Sequence, residues 1–256
     1  MSSLIHFEQP LNERIRIFMR IEELYARCNY YLNKQEAFDS HSALSALFEL
    51  MGLASRGDLK RELMKEIKRQ LTNLQQLHNI PSLDQEKLKQ IINDHNNLII
   101  QLDSLSGQLV GHLKENDFIN SIKQRSTIPG GTCDFDLPAY HHWLTQPANQ
   151  RKQTIEDWLQ PFVVIHNTVR HCLELIRNSA EIEECTAIKG FYQRNLDQSQ
   201  PNQLIRVMID SSENCYPEIS AGKHRFSIRF LEQPNPNQYP KQIERDILFS
   251  ISCCAF

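Results

Sequence analysis

Glycine is scarce in this chain, with 8 among 256 residues, and none of the eight builds a nucleotide-binding turn. Gly130-Gly131 is followed by no Gly-Lys-Ser/Thr and opens no strand-to-helix phosphate loop. Long apolar runs are also lacking: nothing approaches the roughly 18 to 20 residues that span a bilayer. The start, Met1 to Glu8, shows no basic segment leading into a long apolar one, so the expected location is the cytoplasm, without membrane insertion. Seven cysteines, odd in number and scattered, lack the spacing of a disulfide framework and read as reduced thiols. No Asn-x-Ser/Thr acceptor occurs, which agrees with an intracellular protein. Against 28 basic residues stand 31 acidic ones, and a net charge of -3 provides no global positive field toward nucleic acid or anionic lipid. Any basic site has to be local.

Catalytic signatures are absent as well. There is no Gly-x-Ser-x-Gly elbow, no His-Glu-x-x-His helix and no Cys-x-x-Cys pair. The terminal Cys253-Cys254-Ala255-Phe256 fits a prenylation box superficially, but no polybasic flank supports it. His141 and His142 point about 100 degrees apart on a helix, which suits packing or partner contact better than a shared metal. An acid–base site combining them with Asp134 or Asp136 requires a deep pocket joining those groups.

What is present is helical periodicity up to about Arg177. Phe18, Ile21, Tyr25, Cys28 and Leu32 recur at spacings of 3, 4, 3 and 4, marking one stripe of a helix that begins near Asn12. A second helix is expected from Asp39 or Ser40 to Ala54, burying Leu44, Leu47, Phe48 and Met51. Asp58 after Gly57 reads as the cap of a long helix carrying Leu59, Leu63, Ile67, Leu71 and Leu74, which should stop at Asn79-Ile80-Pro81. Ser82 with Gln85 reads as a capping box opening a second rod through Leu88, His95, Leu102 and Leu105, the pair forming an antiparallel hairpin. Further helices are expected over Asp117 to Arg125, Tyr140 to Leu144 and Asn149 to Leu159, with a last one after Pro161.

Beyond Glu181 the period becomes two and the residues β-branched and aromatic. Strands are expected at Cys185 to Gln193, Leu204 to Asp210, His224 to Leu231 and Ile243 to Cys253, paired antiparallel in one small sheet. Leu4 to Glu8 suggests an edge strand joining it. The fold class is therefore α+β: a helical domain over residues 1–180 and a β domain over 181–256, with residues 4–8 a candidate strand of the latter.

In the strand His224 to Phe230, alternation sets Arg225, Ser227 and Arg229 on one face and Phe226, Ile228 and Phe230 on the other. Arg206, Lys189 and Lys223 are natural companions for a local basic patch. On the residues alone, a solvated sheet face fits better than a site. The alternative is a docking place for a carboxylate-bearing peptide, where guanidinium groups bond bidentately. A nucleic-acid-binding module using Arg206, Arg225 and Arg229 is a further alternative, disfavoured by net acidity and by the lack of stacking aromatics on that face.

Taken in order, several blocks resemble the ZapD cell-division family. They are Phe7-Glu8-Gln9-Pro10-Leu11-Asn12-Glu13 with Arg16, Arg20, Ile21 and Glu22; Ser126 to Leu137 with Ile128-Pro129-Gly130-Gly131; Gly190-Phe191-Tyr192-Gln193; and Tyr216-Pro217-Glu218-Ile219-Ser220 leading into Arg225 to Phe230. The resemblance implies a homodimer that binds the C-terminal tail of FtsZ and bundles its filaments at mid-cell, without cofactor, metal or catalysis. Basic tail-binding positions of the family fall on Arg20, His141, Lys223, Arg225 and Arg229, with Arg56 a lesser candidate. A further basic position of the family falls near Asp117, so part of that surface departs from the pattern.

Overall fold

The structure, a computed structural model, describes residues 3–55, 58–77, 83–105, 110–197 and 199–256. It divides into two compact units, Met1–Arg16 with Leu173–Phe256, and Ile17–Cys172. The elements in chain order begin with β1 (Leu4–Pro10), α1 (Glu13–Leu32), α2 (Ala37–Ala54), α3 (Leu59–Gln76), α4 (Gln85–Ser104) and α5 (Gly111–Lys114). They continue with α6 (Asp117–Arg125), α7 (Pro138–Leu144), α8 (Ala148–Arg177), β2 (Glu183–Ala187), β3 (Phe191–Asn195) and β4 (Asn202–Asp210). The chain closes with β5 (Tyr216–Ala221), β6 (Arg225–Glu232), β7 (Lys241–Gln242) and β8 (Ile247–Ala255). The unit boundaries fall inside α1 and α8. None of the described helices is long and apolar enough to cross a membrane.

In the helical unit the expected stripe of α1 is buried from Phe18 to Leu32. The side chain of Asn12 starts that helix, its Oδ1 accepting from the Ile15 amide at 3.0 Å. Helix α2 begins earlier than expected because the Asp39 carboxylate reaches back to the Glu36 amide, at 3.1 Å, and secures the first turn. Asp58 does not cap α3 with its side chain. Its carboxylate pairs with Arg61 at 2.8 Å instead, one turn along the same helix. Helix α4 is capped by Asp84, which accepts from the Lys87 amide at 3.1 Å, so Gln85 opens the helix and is not the third residue of a capping box. Ser82, Gly57 and the expected stop at Asn79-Ile80-Pro81 lie outside the described residues. Helices α3 and α4 run antiparallel: Lys60, near the start of α3, donates to the carbonyls of Asp103 at 3.0 Å and Leu105 at 2.6 Å at the end of α4.

Polar groups between these helices are buried but partnered, as the cost of desolvation demands. Glu66, Gln70 and His95 are fully enclosed. Gln70 Nε2 donates to Glu66 Oε1 at 3.1 Å and to the Cys172 carbonyl at 3.2 Å, while Arg69 holds Glu66 at 2.6 Å. Burial lowers the pKa of His41, His95 and His166, and pushes the Cys28 thiol up to about 12.

The expected break at Pro161 does not occur, and one helix, α8, runs from Ala148 to Arg177 with the proline inside it. Proline removes one donor to the carbonyl four residues back, here that of Asp157, an exposed residue. Buried Leu159, Phe162 and Ile165 anchor the helix on both sides of the gap. Packing therefore outweighs the local penalty.

In the β unit the strands pair antiparallel as expected, but into two sheets. Among the described residues one sheet has the order β1-β4-β8-β2, and the other has β3-β6-β5 with β7 also on β6. The N-terminal strand expected at the edge is there, Leu4 opposite Asp210 through Pro10 opposite Leu204. The single strand expected over Cys185 to Gln193 is divided, because Lys189 and Gly190 take positive φ (49° and 70°) and turn the chain from one sheet into the other. Asp246 Oδ1 accepts from the Lys189 amide at 2.9 Å and stabilises the corner. Ile205, Val207 and Ile209 of β4 and Ile247, Phe249 and Ile251 of β8 meet Phe226, Ile228 and Phe230 of β6 in a single core. The two sheets thus face each other as a sandwich. Strand β5 escaped the sequence pattern because Pro217 interrupts it; proline is tolerated there since β5 lies at the edge of its sheet.

Three outcomes test this fold. A Cβ at Gly190 would sit 2.5 Å from the Ile243 carbonyl oxygen at a φ of +70°, so Gly190→Ala should lower stability by about 2 kcal/mol or more in urea denaturation. Exposed Gly52 in α2 has open space at its Cβ position, and Gly52→Ala should raise stability by about 0.5–1 kcal/mol. The histidines predict a pH dependence of definite sign. Their folded pKa values lie below the ordinary 6.5, so the unfolded chain binds protons first as pH falls. Stability should be insensitive to them above about pH 6.5 and decline below it, read as a lower urea midpoint at about pH 5.5 than at about pH 7.5, with a smaller drop in His95→Gln.

Candidate functional site

Strand β6 is the centre of its sheet, and the period of two decides what each face carries. Phe226, Ile228 and Phe230 enter the sandwich core, leaving Arg225, Ser227 and Arg229 on the outward face. Register fixes the neighbours. Arg229 lies opposite Phe191 of β3 and Glu218 of β5; Ser227 lies opposite Gln193 and Ser220; Arg225 lies opposite Asn195. Three rows therefore cross the face, and the middle row is small and polar.

The two arginines differ in state. Arg229 is ion-paired with Glu218, both about half exposed (56% and 52%). Arg225 is exposed and has no ion-pair partner among the described residues. Lys223, also exposed, sits in the β5–β6 turn, which closes through the Gly222 amide donating to the Arg225 carbonyl at 2.9 Å. Gln193, Ser220, Gly222, Arg225 and Ser227 line a hollow of about 210 Å³. An outward, water-accessible guanidinium beside small hydroxyl and amide groups can receive a carboxylate with little to displace.

The structure brings Lys223, Arg225 and Arg229 together on one hairpin but separates Arg206 from them. Arg206 points away from the sandwich core on the far side of the other sheet, since its neighbours Ile205 and Val207 point in. There its Nε donates to Glu8 Oε1 at 2.9 Å and a terminal nitrogen donates to the Arg177 carbonyl at 3.2 Å. Arg177 binds the same carboxylate, Nε to Oε1 at 2.9 Å and a terminal nitrogen to Oε2 at 2.9 Å. The patch expected to unite Arg206 with Arg225 and Arg229 is therefore not formed, and a phosphate-tracking surface across all three does not exist. Lys189 stands at the corner between the sheets, its backbone amide donating to Asp246 and its carbonyl accepting from Gln242.

Within the helical unit, Arg20 is exposed on α1 and His141 on α7. The exposure of His141 and His142 follows from burial of Tyr140 and Trp143, three residues apart, which take the inward face of that short helix and stack at 5.8 Å. Asp136 is engaged by Arg125 at 3.4 Å, and Asp134 Oδ1 accepts from the Phe135 amide at 3.0 Å. Arg56 lies outside the described residues. Glu218 and Phe191 were not legible as neighbours of Arg229, because register across a sheet depends on strands the sequence pattern had not resolved.

Comparison with known proteins decides the family. The ZapD family model, described as a cell division protein, matches residues 19–229. A curated cell division protein ZapD from Chromobacterium violaceum is 38% identical over 253 residues, spanning 99% of this chain and 100% of that protein. The chain belongs to the ZapD family of cell division proteins. Relatives of the same name from Dechloromonas aromatica, 36% identical over 98% of this chain and 99% of its own length, and from Coxiella burnetii, 35% identical over 99% and 98%, agree. The ZapD match spans the β5–β6 hairpin up to Arg229, and the whole-length relatives add the N-terminal strand bearing Glu8.

Arginines on the two outer faces should behave oppositely under mutation. Glu8→Ala, which leaves Arg177 and Arg206 facing each other without their shared carboxylate, should lower stability by about 3 kcal/mol, and Arg206→Ala by about 2 kcal/mol. Arg225→Ala should change it by less than about 0.5 kcal/mol, since it breaks no ion pair. Urea denaturation of the three variants checks this directly.

Proposed function

We propose that this chain is an adaptor that binds the acidic C-terminal tail of FtsZ through the outward face of the β5–β6 hairpin and links FtsZ filaments into bundles. The observation that carries the reading is Arg225, an exposed guanidinium without an ion-pair partner among the described residues, sharing the outward face of β6 with Arg229 and adjoining the turn that bears Lys223. Membership of the ZapD family supports the cell-division context. Arg20 and His141, exposed in the helical unit, are proposed as further contacts, and Arg56 by family pattern alone.

Bundling follows from valence and needs no catalytic residue. A homodimer carries two equivalent sites, and tails displayed along a polymer present themselves at high effective concentration, so weak individual contacts suffice to hold neighbouring filaments. Such a protein acts in the cytoplasm and is drawn to mid-cell by its polymer. Exposed charge pairs are screened by salt, so the link is ionic-strength dependent.

Titration of a labelled FtsZ C-terminal peptide tests the assignment. Arg225→Glu should weaken binding by about tenfold or more while circular dichroism remains that of the folded protein. Co-sedimentation with FtsZ polymers should likewise decline as salt rises. Undiminished peptide affinity in folded Arg225→Glu would refute the hairpin site.

A further inference from the structure

The pairing of Arg229 points to a second level of selection at the same face. We propose that Glu218 is an internal competitor for the ligand: its carboxylate occupies Arg229 in the free protein, and the site closes fully only on a ligand that supplies a carboxylate in its place. This rests on the reading that an acidic peptide docks on the β5–β6 hairpin.

Glu218 and Arg229 are directly opposed across two antiparallel strands, on the outward face and about half exposed. A pair so placed contributes little and exchanges readily with another carboxylate, because water already screens it. Arg225, four residues earlier on the same face, has no such resident partner among the described residues. Four residues along a strand span roughly 13 Å. An extended peptide with carboxylates at that separation meets both guanidinium groups, the first at Arg225 with nothing to displace and the second at Arg229 by replacing Glu218. A neutral peptide offers neither guanidinium a carboxylate, and a basic one meets the like charge of Arg225.

Glu218 therefore lowers affinity at the second anchor: a ligand engages Arg229 only with a carboxylate that outcompetes the resident one. Phe191, on the same row as Arg229 and partly exposed, gives the second anchor an apolar neighbour. It is placed to cover a hydrophobic side chain next to the incoming carboxylate. Glu218 acts through Arg229 and is a positioning residue, not itself a contact.

The experiment is a double-mutant cycle on binding of the labelled FtsZ C-terminal peptide, using Glu218→Gln, Arg229→Gln, the double variant and Arg225→Glu. Glu218→Gln should tighten binding about two- to fivefold, matching release of an exposed ion pair. In the Arg229→Gln background the same change should bring no gain, which separates competition for Arg229 from a general effect of removing one negative charge. If Glu218→Gln leaves affinity unchanged or weakens it, or tightens it equally without Arg229, while Arg225→Glu still weakens binding about tenfold or more, the competitor falls and the hairpin site stands. If Arg225→Glu binds as wild type, the site and the competitor fall together.

Discussion

The β unit depends on a shared carboxylate. Glu8 lies on β1, Arg206 on β4, and Arg177 ends α8, so one side chain, 14% exposed, ties three segments far apart in sequence. Its net stabilisation is modest beside that of the apolar core, because desolvating three charges offsets much of their attraction. Its contribution is registry. A one-residue slip of β1 would carry Glu8 to the other face of its sheet and leave both guanidinium groups without their acid, so only one alignment of the N-terminal strand satisfies them. In that alignment β1 covers β4, and the sheet backing the sandwich is complete.

That sandwich in turn decides which basic residues are available. Both β4 and β6 alternate arginine with aliphatic or aromatic residues, and in both the apolar set enters the common core. The arginines must then emerge on opposite outer faces. On one side Arg206 is drawn into structural pairing with Glu8; on the other Arg225 is left to solvent. Arginines flanked alike by core residues acquire opposite roles, and the strands differ in what shares the arginine's face: buried Leu204 and Met208 beside Arg206, Ser227 between Arg225 and Arg229.

This also marks where the sequence was readable. Helical stripes and the alternation of β6 follow from periodicities of 3.6 and 2, which burial enforces residue by residue, and the edge strand at Leu4 from a short apolar segment. What escaped depended on partners distant in sequence. Pro161 remains inside a helix because buried neighbours outweigh a missing donor. Lys189-Gly190 divides one apparent strand because Ile243 comes close from elsewhere in the chain. Pro217 disguised β5, and with β5 unseen neither the second sheet nor the opposition of Glu218 to Arg229 was accessible. Asp58, a plausible cap by residue type, found Arg61 within reach instead. The hairpin basic residues were legible because they needed only alternation and a turn; their electrostatic states were not, because these require register.

In the proposed bundling role, a surface that holds one polymer to another has to release as well as bind. Deeply buried ion pairs are poorly suited to that, since breaking one strands a charge in low dielectric and slows separation. Half-exposed groups on a sheet face are screened and exchange readily, so each contact is weak and the strength of a bundle derives from the number of contacts along the filament. The β unit holds two kinds: partly buried arginines around Glu8 that keep the sandwich in register, and more exposed ones on the β5–β6 hairpin. Placing rigidity on one face and exchange on the other lets the weak contacts turn over without loosening the scaffold that presents them.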